Sequence, residues 1–194
     1  MSERYAPASG RAEPVWPEDQ RAGELPVEPR TWLELKRLFA RTFSSSLHFA
    51  VASVGADGEP CLTPVGAVFL GEPGHAFYLE LYATGLGRRL ALDPRVAILA
   101  VDSGRLLWFR SLLSGRFARV PAVRLRGLAA REPRAPTSAE LARIARRLGA
   151  ARFLPGGRVL WPNLDAAARL RVRDLEIHRI EPVHLGRMPV PRWR

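Results

Sequence analysis

The sequence predicts a mainly β protein, a closed antiparallel barrel of six strands with peripheral helices. Three observations carry that expectation. Residues 47–82 hold three strand-like segments joined by short glycine turns, which is the pattern of an antiparallel meander. Residues 95–101 (RVAILAV) are an apolar run placed directly after Asp93-Pro94, a helix stop. Residues 119–131 and 174–185 alternate apolar and polar side chains with period two.

Composition bounds the rest. At 194 residues and 47% hydrophobic, the chain is long enough for one domain with a sizeable core. No apolar run reaches the roughly 18 residues of a membrane span, and MSERYAPASGRAEP lacks the apolar centre of a signal peptide. A cytoplasmic protein with no membrane partner is expected. The net charge of +11 is carried by arginine, with Lys36 the only lysine. Charge spread over every element points to composition more than to a nucleic-acid patch. Cys61 is the one cysteine, expected as an inert buried thiol, and no internal disulfide is possible. His48, His75, His178 and His184 are scattered, without metal-ligand spacing.

In chain order, residues 1–30 carry five prolines and many charges, and read as a flexible arm. Residues 31–185 form the barrel domain and residues 186–194 a Pro- and Arg-rich tail. A helix is expected over residues 31–44, with Thr31 and Glu34 as a capping box and Trp32, Leu35, Leu38 and Phe39 on one face. Strands follow at 47–54, 60–70 and 75–82. Asp57-Gly58 makes the first hairpin turn, and Pro64 marks an edge or a bulge. Residues 105–116 (RLLWFRSLLSGR) are a short apolar helix or lid, suited to a dimer contact or a pocket wall. In residues 119–131, Gly127 is a candidate bulge. Thr137 and Glu140 start a helix that Gly149 ends, with Arg143, Arg146 and Arg147 on its solvated side. The last strand, 174–185, is interrupted at Pro182.

The chain is organised around residues 74–101. A strand feeds the turn Thr84-Gly85-Leu86-Gly87, then a basic helix over residues 88–92, then the apolar strand. The junction gathers a hydroxyl, free backbone N–H groups, a helix N-terminus, and Arg88 and Arg89. Those are the elements of a phosphate site. The two arginines lie about 100° apart on a helix, so one of them faces a ligand, and Arg88, nearer the turn, is the favoured one. No nucleophile elbow and no paired catalytic carboxylates are evident.

The succession HFAVASVGADGEPCLTPVGAVFLG, HAFYLEL, a Thr/Gly/Arg turn and LDPRVAILAV resembles the pyridoxamine 5′-phosphate oxidase-like, FMN-binding split-barrel family. The resemblance covers residues 47–101, and extends more weakly to 119–130 and to EIHRIEPVHL. It implies a six-stranded split barrel and a homodimer with FMN in two interfacial clefts. By the same resemblance the isoalloxazine ring lies along residues 63–67, including Thr63, Pro64, Val65 and Gly66. Tyr82, Thr84, Arg88 and Arg89 hold the phosphate, and an aromatic side chain of the partner subunit, with Trp108 and Trp161 the candidates, flanks the ring. The family's turn commonly places lysine two residues after Ser or Thr, and Leu86 stands there instead. An arginine common in the family's second strand is also absent from PCLTPVGAVFL.

The leading expectation is therefore an FMN-dependent oxidoreductase acting on a small molecule, in which the cofactor performs hydride transfer. A related deazaflavin is an alternative cofactor. The runner-up is a non-catalytic barrel that binds a flavin, haem or another small molecule. The third reading is a basic barrel associated with nucleic acid.

Overall fold

The computed structural model describes residues 27–80, 84–149, 170–183 and 188–191. Residues 1–26 of the arm expected over 1–30, together with Tyr82, Trp161 and His184, lie outside the described residues.

Helix α1 (Pro29–Ser46) starts two residues before the expected Thr31. Proline suits the first helical position because its missing N–H would have no intrahelical partner there. Glu28 is the N-cap and its side chain accepts no cap hydrogen bond, so the helix starts ahead of the Thr31–Glu34 box. The predicted face is correct: Trp32, Leu35, Leu38 and Phe39 are buried. Leu47 does not begin a strand. It takes φ 60° and closes the helix, its N–H bonding the Phe43 carbonyl at 3.0 Å.

β1 (Phe49–Val54) and β2 (Pro60–Val65) form the first hairpin, with alternating burial along β1. Gly58 supplies the positive φ (85°) that the turn requires. The expected second strand then breaks at Gly66-Ala67, and its continuation β3 (Val68–Leu70) pairs with β4 (His75–Leu79). With β5 (Arg95–Val101), β6 (Ala122–Ala129) and β7 (Val172–Pro182), the sheet has seven strands in the order β2-β1-β5-β6-β7-β4-β3. The predicted six become seven because one apolar segment serves two edges. β2 and β3 are two residues apart in sequence and lie at opposite ends of the sheet, so the sheet must curl until those ends meet. Pro64 sits on an edge strand as expected, where its missing donor costs no interior ladder bond.

Gly127 is the bulge. The register shifts between Arg126 and Gly127, and a Cβ at Gly127 would lie 1.9 Å from the Glu176 carbonyl oxygen. β7 starts at Val172, earlier than the alternation suggests, and ends at Pro182. Cys61, on edge strand β2, is half-buried instead of buried.

Two apolar cores follow. One lies inside the curl beneath α1, where Phe39 stacks on Phe49 with centroids 4.8 Å apart. Trp32 Nε1 donates to the Gly71 carbonyl at 2.9 Å, which ties α1 to the turn after β3. The other lies under α4 (Ser138–Leu148) and contains Phe69, Phe77, Ile144, Leu148 and Val172. Arg143 and Arg147 are not simply solvated. They donate to the carbonyls of Leu70 (2.6 Å) and Val68 (3.0 Å), the exposed acceptors of edge strand β3. Arg147 also lies 4.5 Å from the centroid of the Phe69 ring.

The capping box of α4 is realised. Thr137 N–H donates to Glu140 Oε2 (2.8 Å), and Glu140 N–H donates to Thr137 Oγ1 (3.2 Å). Arg134 grips both Glu140 and Asp174. Hydrogen bonding from Arg134 pulls the Glu140 pKa from 4.5 to about 2. A depressed carboxylate pKa stabilises the fold above the unfolded value and ceases to do so as pH falls through the folded one. Glu140→Gln should therefore cost at most about 1 kcal/mol at neutral pH. That difference should shrink between pH 4.5 and about pH 2, as read by urea unfolding at a series of pH values.

Candidate functional site

The junction predicted as the functional corner lies where β4 gives way to α2 (Thr84–Leu92). The four residues expected as a glycine-broken turn are the first turn of that helix. Gly87 is tolerated there because the space its side chain would fill is taken: a Cβ at Gly87 would lie 1.8 Å from Glu80 Oε1. Glu80 in turn pairs with Arg173 of β7, Nε to Oε2 at 2.9 Å and Nη2 to Oε1 at 3.2 Å. The Arg173 side chain is 3% exposed. Its Nη1 also donates to the carbonyls of Ala130 and Arg131, so the buried charge is fully ligated. The Tyr78 hydroxyl is buried near this pair without an aligned hydrogen bond, and burial pushes its pKa well up. The pair bolts the end of β4 to β7 and fixes where α2 begins.

On that base α2 directs its side chains unequally. Leu86 and Leu90 are buried in the barrel core. Arg88 is exposed and Arg89 half-buried. Arg89 reaches across to the first hairpin. Its Nε donates to Ser53 Oγ at 2.8 Å, and its Nη2 donates to Thr63 Oγ1 at 2.9 Å. Its Nη1 is 3.3 Å from where a Cβ of Gly85 would stand, so the guanidinium lies against the first turn of α2. A side chain at Gly85 would crowd it. The first-turn N–H groups of a helix have no intrahelical acceptor. No carboxylate pairs with Arg89 among the described residues. Two hydroxyls that hold but do not neutralise it leave a guanidinium able to accept an anion at a helix N-terminus.

Of the expected site residues, the structure therefore brings together Thr63, Arg89 and the start of α2 at Thr84. Pro64 and Val65 complete β2, and Gly66 opens the break before β3. Arg88, the favoured arginine, points to solvent, and Arg89 takes the position. Leu86 explains itself: a cation at that position would be buried among Leu90, Val51 and their neighbours. Trp108 lies on α3 (Arg105–Ser114), donates Nε1–H to the Asp102 carbonyl at 3.0 Å, and meets Phe117 edge-on. Thr63 is in register with Val51, and Val51 with Ile98, so Trp108 is anchored four residues further along β5 and is not brought to Thr63 within the chain. Ser53, Glu80 and Arg173 were missed. A serine facing inward between Val51 and the hairpin turn was the readable signal for Ser53. The Glu80–Arg173 pairing needed the β4–β7 register.

A hollow of about 570 Å³ lies along β1, β5 and β6, lined by Ala52, Ser53, Ala97, Gly127, Arg124 and Arg126 among others. Residues 63–67 do not line it. Among the described residues, no helix is long and apolar enough to cross a membrane.

A curled antiparallel sheet of seven strands flanked by helices defines a class, the split barrels. The family model described as pyridoxamine 5′-phosphate oxidase matches residues 35–183, and the chain belongs to that family. One solved structure superposes with a TM-score of 0.51 at 18% identity, covering 79% of this chain and 86% of its own, and shares the fold. An FMN-binding protein from Syntrophomonas wolfei subsp. wolfei is 15% identical with a TM-score of 0.49, over 81% of this chain and 95% of that one. HutZ, the haem-storage protein of Vibrio cholerae, is 15% identical with a TM-score of 0.47, over 80% and 94%. No curated protein matches the chain.

Removing one member of a buried ion pair strands the other, at a cost of about 3–5 kcal/mol. Glu80→Ala should reach the lower end of that range, since two carbonyls still hold Arg173. Gly87→Ala should also destabilise by displacing the carboxylate. Chemical denaturation of both variants would check this.

Proposed function

We propose that the protein is an FMN-dependent oxidoreductase of the pyridoxamine 5′-phosphate oxidase family, with the phosphate of the cofactor at the α2 corner. The observation that carries this reading is Arg89, held by Ser53 and Thr63 against the first turn of α2 with its charge uncompensated. The residues present fit a phosphate monoester. A guanidinium offers two parallel N–H groups to such a group, and the helix N-terminus adds backbone donors. Bound there, FMN would supply hydride transfer. The chain's own part is to anchor the phosphate, to lay the backbone of residues 63–67 beside the ring, and to keep water from the reacting face. Arg89 would do the work given elsewhere in the family to a lysine at the position of Leu86 and an arginine on the second strand.

The functional unit on this reading is a homodimer. Leu106, Phe109, Leu112 and Leu113 of α3 are 61% to 73% exposed, an apolar surface of the kind that subunit contacts cover.

Two measurements test the reading. Titration of the protein with FMN, followed by flavin fluorescence, should give saturable binding. Arg89→Met should weaken it by about 10- to 100-fold, the worth of a charge-assisted contact, and Arg88→Met by less than about twofold. Equal affinity for the parent and Arg89→Met would sink the phosphate assignment. Light scattering should show a dimer that the double variant Phe109→Glu, Leu113→Glu converts to monomer.

A further inference from the structure

Asp102, the residue just after β5, is 2% exposed and carries more positive charge around it than it can balance. Its Oδ2 accepts from Arg41 Nε at 3.1 Å, and from Arg119 Nε at 3.1 Å and Nη2 at 3.0 Å. Its Oδ1 accepts the Gly104 N–H at 3.1 Å. One carboxylate thus holds two guanidiniums side by side. A third, that of Arg105, lines the same hollow, which has a volume of about 560 Å³ and lies between α1, the end of β5 and the start of α3. Asp102 is the one carboxylate among the residues lining the hollow; Glu34 of α1 also acts on Arg41 but is paired with Arg37, and residues 103–131 contain no Asp or Glu.

The two arginines are held by part of their donor sets only. Among the described residues, neither terminal nitrogen of Arg41 and only one of Arg119 is engaged. Burial lowers the pKa of Arg41, and repulsion from Arg119 lowers it further. Asp102 is itself fixed: its carbonyl accepts from Trp108 Nε1, and Ser103 N–H donates to Ser45 Oγ at 3.0 Å. The N-cap of α3 is Gly104, which offers no side chain, so the first N–H groups of that ten-residue helix are uncapped beside Arg105.

From this geometry we infer a second anion site, independent of the α2 corner, built by Arg41, Arg105 and Arg119 for a doubly charged phosphate group. Planar guanidiniums preset by a buried carboxylate match phosphate oxygens, and two surplus charges match a dianion. A carboxylate has the same donors available but is planar and carries a single charge, whereas a tetrahedral dianion uses both surplus charges.

The test is an NMR titration of the full chain with inorganic phosphate at constant ionic strength, following the arginine Nε–Hε resonances. Saturable shifts are expected at Arg41 and Arg119. Arg105→Gln, which leaves Asp102 untouched, and Arg119→Gln, which leaves Arg41 on Asp102, should each weaken binding by about tenfold or more. Arg89→Met should leave it unchanged, which separates this site from the α2 corner. A parallel titration with phenyl phosphate identifies the source: tighter binding than inorganic phosphate marks the site as a seat for a phosphorylated organic molecule, and weaker binding marks it as a seat for the free ion. Shifts that do not saturate, or undiminished affinity in both arginine variants, would overturn the assignment.

Discussion

The constraint on which the rest depends is the two-residue break at Gly66-Ala67. It sends one apolar segment to both ends of the sheet, β2 beside β1 and β3 beside β4. The Ala67 carbonyl accepts the Leu79 N–H at 3.1 Å, so the crossing point is itself hydrogen-bonded to β4. Curling then places β4, and the helix that follows it, close to the first hairpin. That is why a side chain on α2 can reach Ser53 and Thr63, 36 and 26 residues earlier in the chain.

Arginine does most of the joining. Arg173 ligates Glu80 and two backbone carbonyls, Arg134 clamps Glu140 to Asp174, and Arg143 and Arg147 satisfy the free carbonyls of β3. A planar cation with five donors can serve several acceptors at once, which a lysine cannot. Seen this way the +11 charge is in large part structural. Arg89 and the Arg41–Arg105–Arg119 group stand apart because each lies at the first turn of a helix, where backbone N–H groups add to the guanidinium donors.

The strands were legible in the sequence because β6 and β7 alternate and β5 is an apolar run behind a helix stop, and the box at Thr137 and Glu140 announced α4. The seventh strand was not, because Gly66-Ala67 interrupts an apolar run without changing its hydropathy. The Thr31–Glu34 box misled because Pro29 offers a better start. At the corner, local spacing favoured Arg88 over Arg89, whereas Arg89 is the one turned to the first hairpin. The choice is made by Leu86 and Leu90, whose burial fixes the helix rotation and turns Arg89 toward the hairpin. Long-range pairs such as Glu80–Arg173 leave no local trace.

The two free rims of the sheet are blunted in opposite ways. Along β2, Pro60 and Pro64 have no N–H to offer. Along β3, the carbonyls of Val68 and Leu70 are occupied by Arg147 and Arg143. One rim is short of donors and the other of acceptors, so neither templates an added strand. Both rims therefore disfavour backbone pairing with any further strand. That leaves shape and apolar surface, not backbone pairing, to decide the geometry of any assembly.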